Sequence, residues 1–557
     1  MFDVLVIGGG HAGCEAASAA ARRGAKVALV TMAAGNLGQL SCNPSIGGIG
    51  KGHLVRELDV FDGLMARAVD HAAIHRRLLN RTKGPAVQGP RIQADRLLYQ
   101  AAIQQMIDAS TIQLICDEVH ELTISHGKVL GVRLASGTKV DARAVVTTTG
   151  TFLDAYIFTG TSRRPAGRMG EAASIPLARQ IAEIGLGQGR LKTGTPPRLD
   201  GRTIDWARLT PQPSDKQPWT MSALPSEQTA PEIACGLTRT SERTHDIIRA
   251  AFDRSPLFDG TIEGRGPRYC PSIEDKVKRF ADRAGHQIFL EPESLSGSLV
   301  YPNGISTSLP EDVQLDLVHS IEGLERAEIV RLGYAVEYAF VDPRKLGSTL
   351  ECRDIGGLFL AGQINGTTGY EEAAGQGLVA GLNAAAVACD LAPFRFDRRL
   401  SYIGVMVDDL TLQGVTEPYR MMTARAEYRL QLRADNATTR LGPNALAAGV
   451  SSDRRTQIEN HLESRRKPSF AETDEGQADT VYAPYVERQR REWAAVSQDR
   501  AVRLRRVDFR SVAGLSTEMS ERLSVAGPET LDEASRIAGI TPAALSALFV
   551  AANREAA

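Results

Sequence analysis

The chain opens with blocks of apolar and small residues that predict a strand, a helix and a second strand. The apolar run at residues 2–7 is typical of a strand buried on both faces, and a glycine-rich turn follows it. An alanine-rich stretch then predicts a helix that runs to Arg23 and is ended by Gly24, before another apolar run at residues 26–31. This order predicts a βαβ unit.

Two further segments are predicted to complete this first domain. Residues 113–150 carry short β-branched runs separated by His-Gly and Ser-Gly turns, which predicts a meander of hairpins over one face of the sheet, ending in a strand at 144–147. An apolar strand at 357–361, a glycine-rich turn and an alanine-rich helix at 371–389 repeat the order of the N-terminus. We therefore expect a distant piece of chain to close the first domain.

Changes of pattern predict the domain limits. Residues 200–260 are rich in Pro, Thr, Ser and Trp with little periodicity, which indicates an inserted domain with long loops. From about residue 400 the pattern is mostly helical, apart from the polar stretch 467–480, whose low hydrophobicity predicts a mobile linker. The predicted domains are a discontinuous first domain at 1–195 and 346–400, an inserted domain at 196–345, a helical connector at 401–484 and a C-terminal helical unit at 485–557.

Composition bounds the class of protein. A chain of 557 residues with 43% hydrophobic content is too long for one core, so roughly two to four domains are expected. Lys and Arg number 65 against 66 for Asp and Glu, so any surface for nucleic acid must be a local patch. Neither a secretion signal nor a membrane-spanning stretch is evident, so we expect a cytoplasmic protein that does not bind membranes.

The cysteines are scattered along the chain and none is spaced as C-x-x-C. This spacing argues against a zinc site and a disulfide framework, and we expect no metal. Most of the cysteines should be small buried apolar residues. Only Cys42 and Cys270 lie in loops suited to chemistry. The seven cysteines are Cys14, Cys42, Cys116, Cys235, Cys270, Cys352 and Cys389.

The loop after the first strand satisfies G-x-G-x-x-G and opens a helix, which favours dinucleotide binding. Its residues are Gly8, Gly9, Gly10, His11, Ala12 and Gly13. The first glycine permits a tight turn, the second lets the backbone approach a pyrophosphate and the third allows close helix–strand packing. The helix N-terminus offers unpaired N–H groups to the phosphates. The acidic residue expected about 20 residues on is missing, since Val30, Thr31 and Met32 end the second strand, so the adenosine ribose contact is unassigned.

The late strand at 357–361 favours FAD over NAD as the dinucleotide of this domain. Many FAD folds use such a strand to hold the ribityl chain, usually with Asp where this chain has Gln363. A second glycine-rich stretch at 47–52 contains Gly50-Lys51, which is similar to the end of a P-loop. Ser45 and Gly52 break the Walker pattern, so we do not expect this chain to hydrolyse GTP.

Several long segments resemble the MnmG (GidA) family almost word for word. They cover most of residues 1–445, and the C-terminal unit also matches through 512–516 and 534–543. The region between about 445 and 485 is shorter than is usual in the family. The segments that carry the resemblance are 8–13, 40–53 (LSCNPSIGGIGKGH), 191–198 (LKTGTPPR), 266–276 (GPRYCPSIEDK) and 361–372 (AGQINGTTGYEE).

The resemblance implies an α/β fold with an FAD-binding Rossmann-like domain of the glutathione-reductase type, an inserted α/β NAD-binding domain and a C-terminal α-helical domain. It implies an enzyme that uses FAD, NADH and methylenetetrahydrofolate, with glycine or ammonium as amine source. The product would be an aminomethyl or carboxymethylaminomethyl group on C5 of the wobble uridine 34 of tRNA. The implied partner is the GTPase MnmE, met by a homodimer of this chain in a heterotetramer.

The resemblance also places site residues on this sequence. The catalytic cysteines of the family fall on Cys42 and Cys270, and FAD contacts fall on residues 8–13, Val119, Ser174 and Gln363. The implied NAD region contains no G-x-G-x-x-G and rests on analogy alone. Its residues are Gly266, Pro267, Arg268, Tyr269, Lys276 and Phe280.

The chemistry of uridine explains why cysteines matter here. C5 of uracil is a poor nucleophile until a thiolate adds to C6, so modification at C5 needs an activated cysteine. Cys42 precedes Asn-Pro and a run of glycines, where the backbone can approach a flavin. Cys270 has Arg268 and Lys276 nearby in sequence, cations that would lower its pKa if they are near in space. Which cysteine attacks C6 and which acts as acid or base stays open.

Two arginine-rich segments are candidates for RNA contact. Arg425, Arg429 and Arg433 recur every four residues, which aligns them on one face if the stretch is helical, and Arg429 and Arg433 share a face even if it is a strand. They are therefore candidates for a phosphate-binding ridge. Residues 486–510 hold eight arginines against four acidic residues, which would attract RNA by counterion release. A solvated helix face explains both segments equally well.

Three other functions stay open. A folate- and FAD-dependent tRNA uridine methyltransferase is one, although the extra C-terminal helical unit argues against it. A small-molecule flavin oxidoreductase of the disulfide-reductase class is the second, but that class needs two closely spaced cysteines and Cys42 has no close neighbour in sequence. A non-catalytic adaptor that keeps an inactive flavin fold is the third, and it would keep modification intact when Cys42 and Cys270 are replaced.

Overall fold

The computed structural model describes residues 1–225, 230–267, 271–500, 502–504 and 507–556, and it combines strands and helices in an α/β arrangement. In chain order the strands are β1 (Phe2–Ile7), β2 (Val27–Thr31), β3 (Ser45–Gly47), β4 (Ala73–Leu79), β5 (Gly89–Ala94), β6 (Gln113–Cys116), β7 (Val119–Ser125), β8 (Lys128–Leu134), β9 (Lys139–Thr147), β10 (Tyr156–Thr159), β11 (Ser162–Pro165), β12 (Gly187–Thr195), β13 (Arg198–Asp200), β14 (Thr210–Gln212), β15 (Cys235–Arg239), β16 (Gln287–Pro292), β17 (Leu299–Asn303), β18 (Ile329–Arg331), β19 (Tyr334–Val341) and β20 (Leu358–Leu360).

The α-helices occupy the connections between the strands and most of the last third of the chain. In chain order they are α1 (His11–Arg22), α2 (Lys51–Val60), α3 (Leu64–His71), α4 (Arg96–Asp108), α5 (Ile175–Glu183), α6 (Glu242–Ala250), α7 (Ile273–Arg279), α8 (Glu311–His319), α9 (Tyr370–Ala388), α10 (Tyr402–Asp408), α11 (Ala437–Ala448), α12 (Ser452–Ser464), α13 (Asp474–Arg500), α14 (Thr517–Ala526), α15 (Leu531–Ser535) and α16 (Pro542–Ala556).

A seven-stranded sheet forms the first domain, in the order β6-β2-β1-β9-β8-β7 with β20 paired to β9. The pairs β1–β2, β1–β9, β2–β6 and β9–β20 are parallel, which confirms the βαβ unit and the closure of the domain by a distant strand. The hairpins β7–β8 and β8–β9 confirm the predicted meander. Strand β9 joins the meander to the parallel sheet, because its first residues pair with β8 and its last residues pair with β1.

Helices α1 and α9 pack against each other more closely than most side chains would allow. A Cβ atom on Gly377 would lie 2.2 Å from the Ala12 carbonyl oxygen, and one on Gly381 would lie 2.2 Å from the Ala16 carbonyl oxygen. Only glycine permits the two backbones to approach to this extent. The small residues that marked both helices in the sequence therefore serve the contact between them.

The inserted segment forms a sheet with a core of its own. Its six strands are antiparallel in the order β14-β15-β16-β17-β13-β18, and α6, α7 and α8 supply the helical part of the layer. Leu199, Ile248, Ile288 and Leu317 belong to this second core. A four-stranded sheet, β11-β10-β19-β12, links it to the first domain. The six-stranded sheet lies within the predicted limits 196–345, and those limits stay a prediction.

The C-terminal third is helical, as predicted, but the linker expected at 467–480 is wrong. Residues 468–472 form a 3-10 turn and α13 begins at Asp474, so this polar stretch is folded. Glu475 is buried and pairs with Arg465 at 2.7 Å, and Asp479 pairs with Arg433 at 2.6 Å. These ion pairs stabilise the folded conformation of this stretch, and the hydrophobicity of the sequence does not reveal them.

The same helix crosses the predicted boundary between residues 484 and 485. Helix α13 is continuous from Asp474 to Arg500, so the predicted boundary lies within a helix, and it stays a prediction. A separate small core, with Leu504, Leu523 and Leu548 in its interior, holds α14, α15 and α16 together. In the part of the chain that the structure describes, no helix is long and apolar enough to cross a membrane.

A buried ion pair fastens the helical connector to the first domain, and its loss should be costly. Arg454 on α12 is fully buried and donates to Asp59 on α2 at 2.5 Å and to Ser222 at 3.3 Å. Replacing Arg454 with Met leaves the Asp59 carboxylate buried without its cation. We expect the free energy of unfolding, measured by urea titration with circular dichroism, to fall by about 3 kcal/mol.

The next residue supplies the control for that measurement. Arg455 lies on the same helix but is exposed, and its pair with Glu459 is long at 3.8 Å. Arg455→Met should change the free energy of unfolding by less than about 0.5 kcal/mol. Equal losses in the two variants would show that the Asp59 pair does not fasten the connector.

Candidate active site

The glycine-rich loop between β1 and α1 is shaped to receive a dinucleotide diphosphate. Gly8 has φ of +100°, and a Cβ on Gly13 would lie 1.8 Å from the Gly8 carbonyl oxygen, so both positions require glycine. No described atom lies within 4 Å of the place where a Cβ on Gly10 would stand, so a ligand can reach the backbone there. Among the described residues no side chain caps the N-terminus of α1, which leaves its N–H groups for an anion.

A cleft opens beside this loop at the carboxyl ends of the parallel strands. Val119 and Ser174, two of the residues that the resemblance places against FAD, lie in its wall together with the glycine loop. Gln363 lies next to the cleft, since its Oε1 is 3.7 Å from the position of a Cβ on Gly150. The glycine cradle, the uncapped helix and the apolar walls fit a dinucleotide. The wall includes Gly8, Gly9, Gly10, Val30, Thr31, Val119, Thr148, Thr149, Ser174 and Leu177.

His11, the first residue of α1, is held as a neutral ring. Burial lowers the pKa of His11 to about 4, so the imidazole carries no charge at neutral pH. Its ring stacks on that of Tyr370, the first residue of α9, with centroids 4.6 Å apart. Its Nε2 has no hydrogen-bond partner among the described residues. The two helix N-termini therefore meet beside the glycine loop.

The backbone of Cys42 is fixed from both sides. The Cys42 N–H donates to the Tyr370 hydroxyl at 2.5 Å, and that hydroxyl donates to the Asn43 carbonyl oxygen at 3.1 Å. On the other side, Nη2 of Arg198 donates to the Cys42 carbonyl oxygen at 2.9 Å. Tyr370 belongs to the first domain, which carries the glycine-rich loop and is called the flavin-type domain below. Arg198 belongs to the inserted sheet. The loop that carries Cys42 is therefore tied to two domains at once.

The half-buried Cys42 thiol faces residues of the inserted domain and the linking sheet. Its Sγ lies 3.3 Å from the Tyr301 hydroxyl on β17 and 3.8 Å from Thr195 Oγ1 at the end of β12. The guanidinium of Arg198 stands 4.6 Å from the centre of the Tyr301 ring. This arrangement places a hydroxyl within hydrogen-bond distance of the sulfur and a guanidinium on the carbonyl oxygen of the same residue.

Arg198 is a fixed cation, and its guanidinium donates hydrogen bonds to several groups around Cys42. It donates to Glu293 at 2.7 Å, to Thr195 Oγ1 at 2.8 Å and to the Pro196 carbonyl oxygen at 2.7 Å, besides its bond to Cys42. Burial acts to lower the pKa of Arg198, but the Glu293 carboxylate outweighs it and raises the pKa above the ordinary value. The cation beside Cys42 is therefore permanent.

Three of these contacts were not assigned by the sequence analysis. Tyr370 and Arg198 lie inside the segments that resemble the family, at 361–372 and 191–198, so attention to their polar side chains would have marked them. Tyr301 lies outside every such segment, and nothing in its local pattern separates it from an ordinary strand residue. Its place beside Cys42 is a product of the tertiary fold.

The second candidate cysteine, Cys270, and its neighbours Arg268 and Tyr269 lie outside the described residues. Of the other residues in the implied NAD region, Lys276 donates to the Gly304 carbonyl oxygen at 2.8 Å and Phe280 is exposed. Pro267 is buried, and a Cβ on Gly266 would lie 2.6 Å from Lys192 Cε. None of these four described residues lies in the wall of the flavin-type cleft.

The predicted arginine ridge is wrong in its geometry. Only residues 423–425 form a 3-10 turn, and the chain from 426 to 436 is not helical, so a spacing of four does not align the side chains. Arg433 is buried and pairs with Asp435 at 2.9 Å and Asp479 at 2.6 Å, because it serves the interior of the connector. Arg425 lies over the Tyr419 ring at 4.0 Å, and Arg429 is exposed.

Lys51, the residue that is similar to a P-loop lysine, has a structural task. Its Nζ lies 2.8 Å from Glu371 and 2.9 Å from Glu372, and the second oxygen of Glu371 accepts from the Gly47 N–H at 2.6 Å. Burial acts to lower the pKa of Lys51, but the two glutamates outweigh it and raise the pKa. The lysine therefore binds the first turn of α9 and holds the glycine-rich loop after Cys42 in place.

The hydroxyl of Tyr370 should control the exposure of Cys42. Tyr370→Phe keeps the ring on His11 and removes the hydrogen bonds to Cys42 and Asn43. Because a lost hydrogen bond is worth about 1 kcal/mol, we expect iodoacetamide to alkylate Cys42 about fivefold faster, measured by mass spectrometry of the Cys42 peptide.

The control variant replaces a second tyrosine whose ring also contacts His11. Tyr99 lies 5.8 Å from His11 between ring centroids, and its hydroxyl has no hydrogen-bond partner among the described residues. Tyr99→Phe should leave the alkylation rate of Cys42 unchanged. If the two variants behave alike, the hydroxyl of Tyr370 does not fix the Cys42 loop.

Comparison with known proteins agrees with this geometry. A family model described as "Glucose inhibited division protein A" matches residues 3–391, and one described as "tRNA modifying enzyme MnmG/GidA C-terminal helical bundle" matches residues 492–557. The structure of Aquifex aeolicus GidA in its form I crystal is 43% identical with a TM-score of 0.92, and it covers 99% of both chains. The form II crystal gives 40% identity and the same TM-score, over 99% of this chain and 98% of that one.

Curated relatives match along almost the whole length. The "tRNA uridine 5-carboxymethylaminomethyl modification enzyme MnmG" of Zymomonas mobilis is 53% identical over 99% of this chain and 98% of its own. The protein of the same name from Granulibacter bethesdensis is 48% identical over 98% of this chain and 96% of its own. This chain therefore belongs to the MnmG (GidA) family, whose members are flavin-dependent.

Proposed function

We propose that this chain modifies tRNA at the wobble uridine 34, where it adds a carboxymethylaminomethyl or aminomethyl group to C5 with the GTPase MnmE as partner. The observation that carries the proposal is the Cys42 thiol, tied by one backbone contact to the helix ends of the flavin-type domain and by another to the inserted domain. The names of the two relatives above supply the substrate and the group transferred.

The cleft beside the glycine loop is proposed to hold FAD. Residues 8–13 would receive the diphosphate, while Val119, Ser174 and Gln363 would contact the rest of the cofactor. FAD, when bound, exchanges electrons with NADH and carries the one-carbon unit of methylenetetrahydrofolate. NADH is proposed to bind the inserted domain through Gly266, Pro267, Arg268, Tyr269, Lys276 and Phe280. The uncapped N-terminus of α1 would favour the diphosphate through its free N–H groups, and the neutral ring of His11 adds no charge there.

The residues around Cys42 are proposed to run the chemistry of the uracil ring. A cysteine thiolate bonds to C6, the electron pair of the C5–C6 bond moves toward O4, and C5 becomes the nucleophile that takes the new group. Loss of the proton from C5 then expels the thiolate. Tyr301 hydrogen-bonds the sulfur of Cys42, and Arg198 keeps a positive charge nearby. Cys270 is the second catalytic cysteine, and the division of roles between the two stays open.

The proposed function also assigns partners to this chain and a role to each predicted domain. The helical unit at the C-terminus would meet MnmE and tRNA, and a homodimer of this chain would form the heterotetramer in the cytoplasm. Residues 1–195 and 346–400 would bind FAD, and residues 196–345 would bind NADH. Residues 401–484 would connect these two domains to the C-terminal unit at 485–557. The match of the C-terminal family model favours this function over that of a folate-dependent tRNA uridine methyltransferase.

Replacing either catalytic cysteine should abolish modification without loss of flavin. With MnmE, NADH, GTP, methylenetetrahydrofolate, glycine and unmodified tRNA, we expect Cys42→Ser and Cys270→Ser to lower product formation by at least about 1,000-fold. Cys116→Ser is the control, since Cys116 is exposed at the end of β6 and should leave activity unchanged. Product is measured by mass spectrometry of tRNA nucleosides.

Other results of the same assay identify the alternatives. Unchanged product from both cysteine variants would support a non-catalytic adaptor. Flavin-dependent oxidation of NADH by the wild-type protein with no RNA product would support a small-molecule oxidoreductase. A methyl group at C5 would support a methyltransferase.

Two arginines of the predicted ridge, Arg429 and Arg433, should behave differently when they are replaced. Arg429 is exposed, so Arg429→Ala should weaken tRNA binding and reduce the slope of log affinity against log salt by about 1. Arg433 is buried between two carboxylates, so Arg433→Ala should instead lower the free energy of unfolding by about 3 kcal/mol. The measurements are fluorescence anisotropy with labelled tRNA at several salt concentrations and urea unfolding. A salt slope that Arg429→Ala leaves unchanged would remove this residue from the RNA surface.

A further inference from the structure

The end of β2 lacks the residue that usually recognises ribose in this fold. A carboxylate at this place normally accepts a hydrogen bond from the ribose 2′-hydroxyl of a dinucleotide. Here Val30, Thr31 and Met32 occupy the end of the strand, and all three lie in the wall of the cleft. The valine has no acceptor in its side chain, the methionine offers only a weak thioether acceptor, and the threonine carries no charge.

The neighbouring strand brings a carboxylate to the same edge of the sheet. Strand β6 runs parallel to β2 with Cys116 opposite Thr31, so the residues after both strands leave the sheet together. The Asp117 N–H donates to the Thr31 carbonyl oxygen at 3.0 Å and continues the pairing by one residue. Glu118 comes next and lies in the wall of the cleft with the glycine loop.

One oxygen of Glu118 is buried in this wall without a donor. Its Oε1 has no hydrogen-bond partner among the described residues, while its Oε2 lies 3.6 Å from His120 Nε2. A buried carboxylate oxygen without a donor is costly, so a ligand that brings a hydroxyl there would be favoured.

The other carboxylates of the cleft are already engaged. Asp117 accepts from the Glu118 N–H at 2.7 Å and from the Ser136 N–H at 3.4 Å, so it holds the turn between β8 and β9. Glu171 accepts from Arg168 at 2.8 Å and from Asn36 at 3.0 Å. Glu118 is thus the carboxylate of this wall with an oxygen left for a ligand, among the residues that the structure describes.

We propose that Glu118 accepts the hydrogen bond from the 2′-hydroxyl of the adenosine ribose of FAD. The inference rests on the proposed binding of FAD in this cleft. It moves the ribose acceptor from the end of β2 to the second residue after β6, the strand that runs parallel to β2. The carboxylate also disfavours a 2′-phosphate through charge repulsion, so the site selects FAD and excludes dinucleotides phosphorylated on that ribose.

The test compares two forms of the cofactor on apoprotein prepared from the full chain. Dissociation constants of FAD and of its 2′-deoxyadenosine analogue are measured by quenching of flavin fluorescence. The wild-type protein should bind the analogue about tenfold more weakly than FAD, because a hydrogen bond to a charged group is lost. Glu118→Ala should bind FAD about tenfold more weakly and should no longer distinguish the two forms.

Two control variants come from the same wall. Glu171→Ala removes an engaged carboxylate, and Gln39→Leu removes an amide whose Oε1 also lacks a partner among the described residues. Both variants should still prefer FAD to the analogue by about tenfold. Far-ultraviolet circular dichroism and thermal unfolding of each variant confirm that the protein is folded before the dissociation constants are compared.

Each remaining outcome overturns the assignment. A Glu118→Ala protein that still prefers FAD, or a Gln39→Leu protein that does not, would place the ribose acceptor elsewhere. Loss of discrimination by Glu118→Ala only against an FAD analogue with hypoxanthine in place of adenine would assign Glu118 to the adenine amino group instead. Failure of the wild-type protein to bind FAD at all would refute the proposed function, whereas tight binding with no effect of Glu118→Ala refutes only this inference.

Discussion

The close contact between α1 and α9 is the constraint on which the rest of the site depends. Gly377 and Gly381 let the second helix lie directly on the backbone of the first. The two helices therefore begin side by side, with His11 at one N-terminus stacked on Tyr370 at the other. One N-terminus opens onto the glycine loop for a diphosphate, and the other carries the hydroxyl that fixes Cys42. A larger side chain at either glycine would separate the cofactor loop from the cysteine.

Buried charged side chains hold the surrounding loops and helices in place around these two helices. Lys51 bridges the two glutamates at the start of α9, and Glu57 accepts from the first backbone N–H groups of α10 at 2.9 and 3.0 Å. Arg440 of α11 completes the pair with Glu57 at 3.1 Å. Such pairs are costly to break because the remaining charge has no access to water. They join segments more than 300 residues apart in sequence around one helical layer.

The local sequence pattern was sufficient to predict the strands and helices of the first domain, but it was insufficient to predict the contacts of the candidate site. The strand, turn and helix at the N-terminus, the meander and the late strand were all predicted, because burial on a sheet leaves a periodic trace in the sequence. The polar stretch at 467–480 and the arginines at intervals of four were misread for a common physical reason. Their charges are neutralised by partners on other elements, and spacing along the chain does not contain that information.

The surroundings of Cys42 show the same limit and also explain how the domains are linked. Its flanking backbone is held from the flavin-type domain by Tyr370, while its sulfur faces Tyr301 and the nearby cation Arg198 from the inserted domain. The contacts of the thiol therefore come largely from a domain other than the one that would bind FAD. Because a second domain is inserted within the first, the contacts of the Cys42 thiol and the glycine loop belong to separate domains that meet at the loop carrying Cys42.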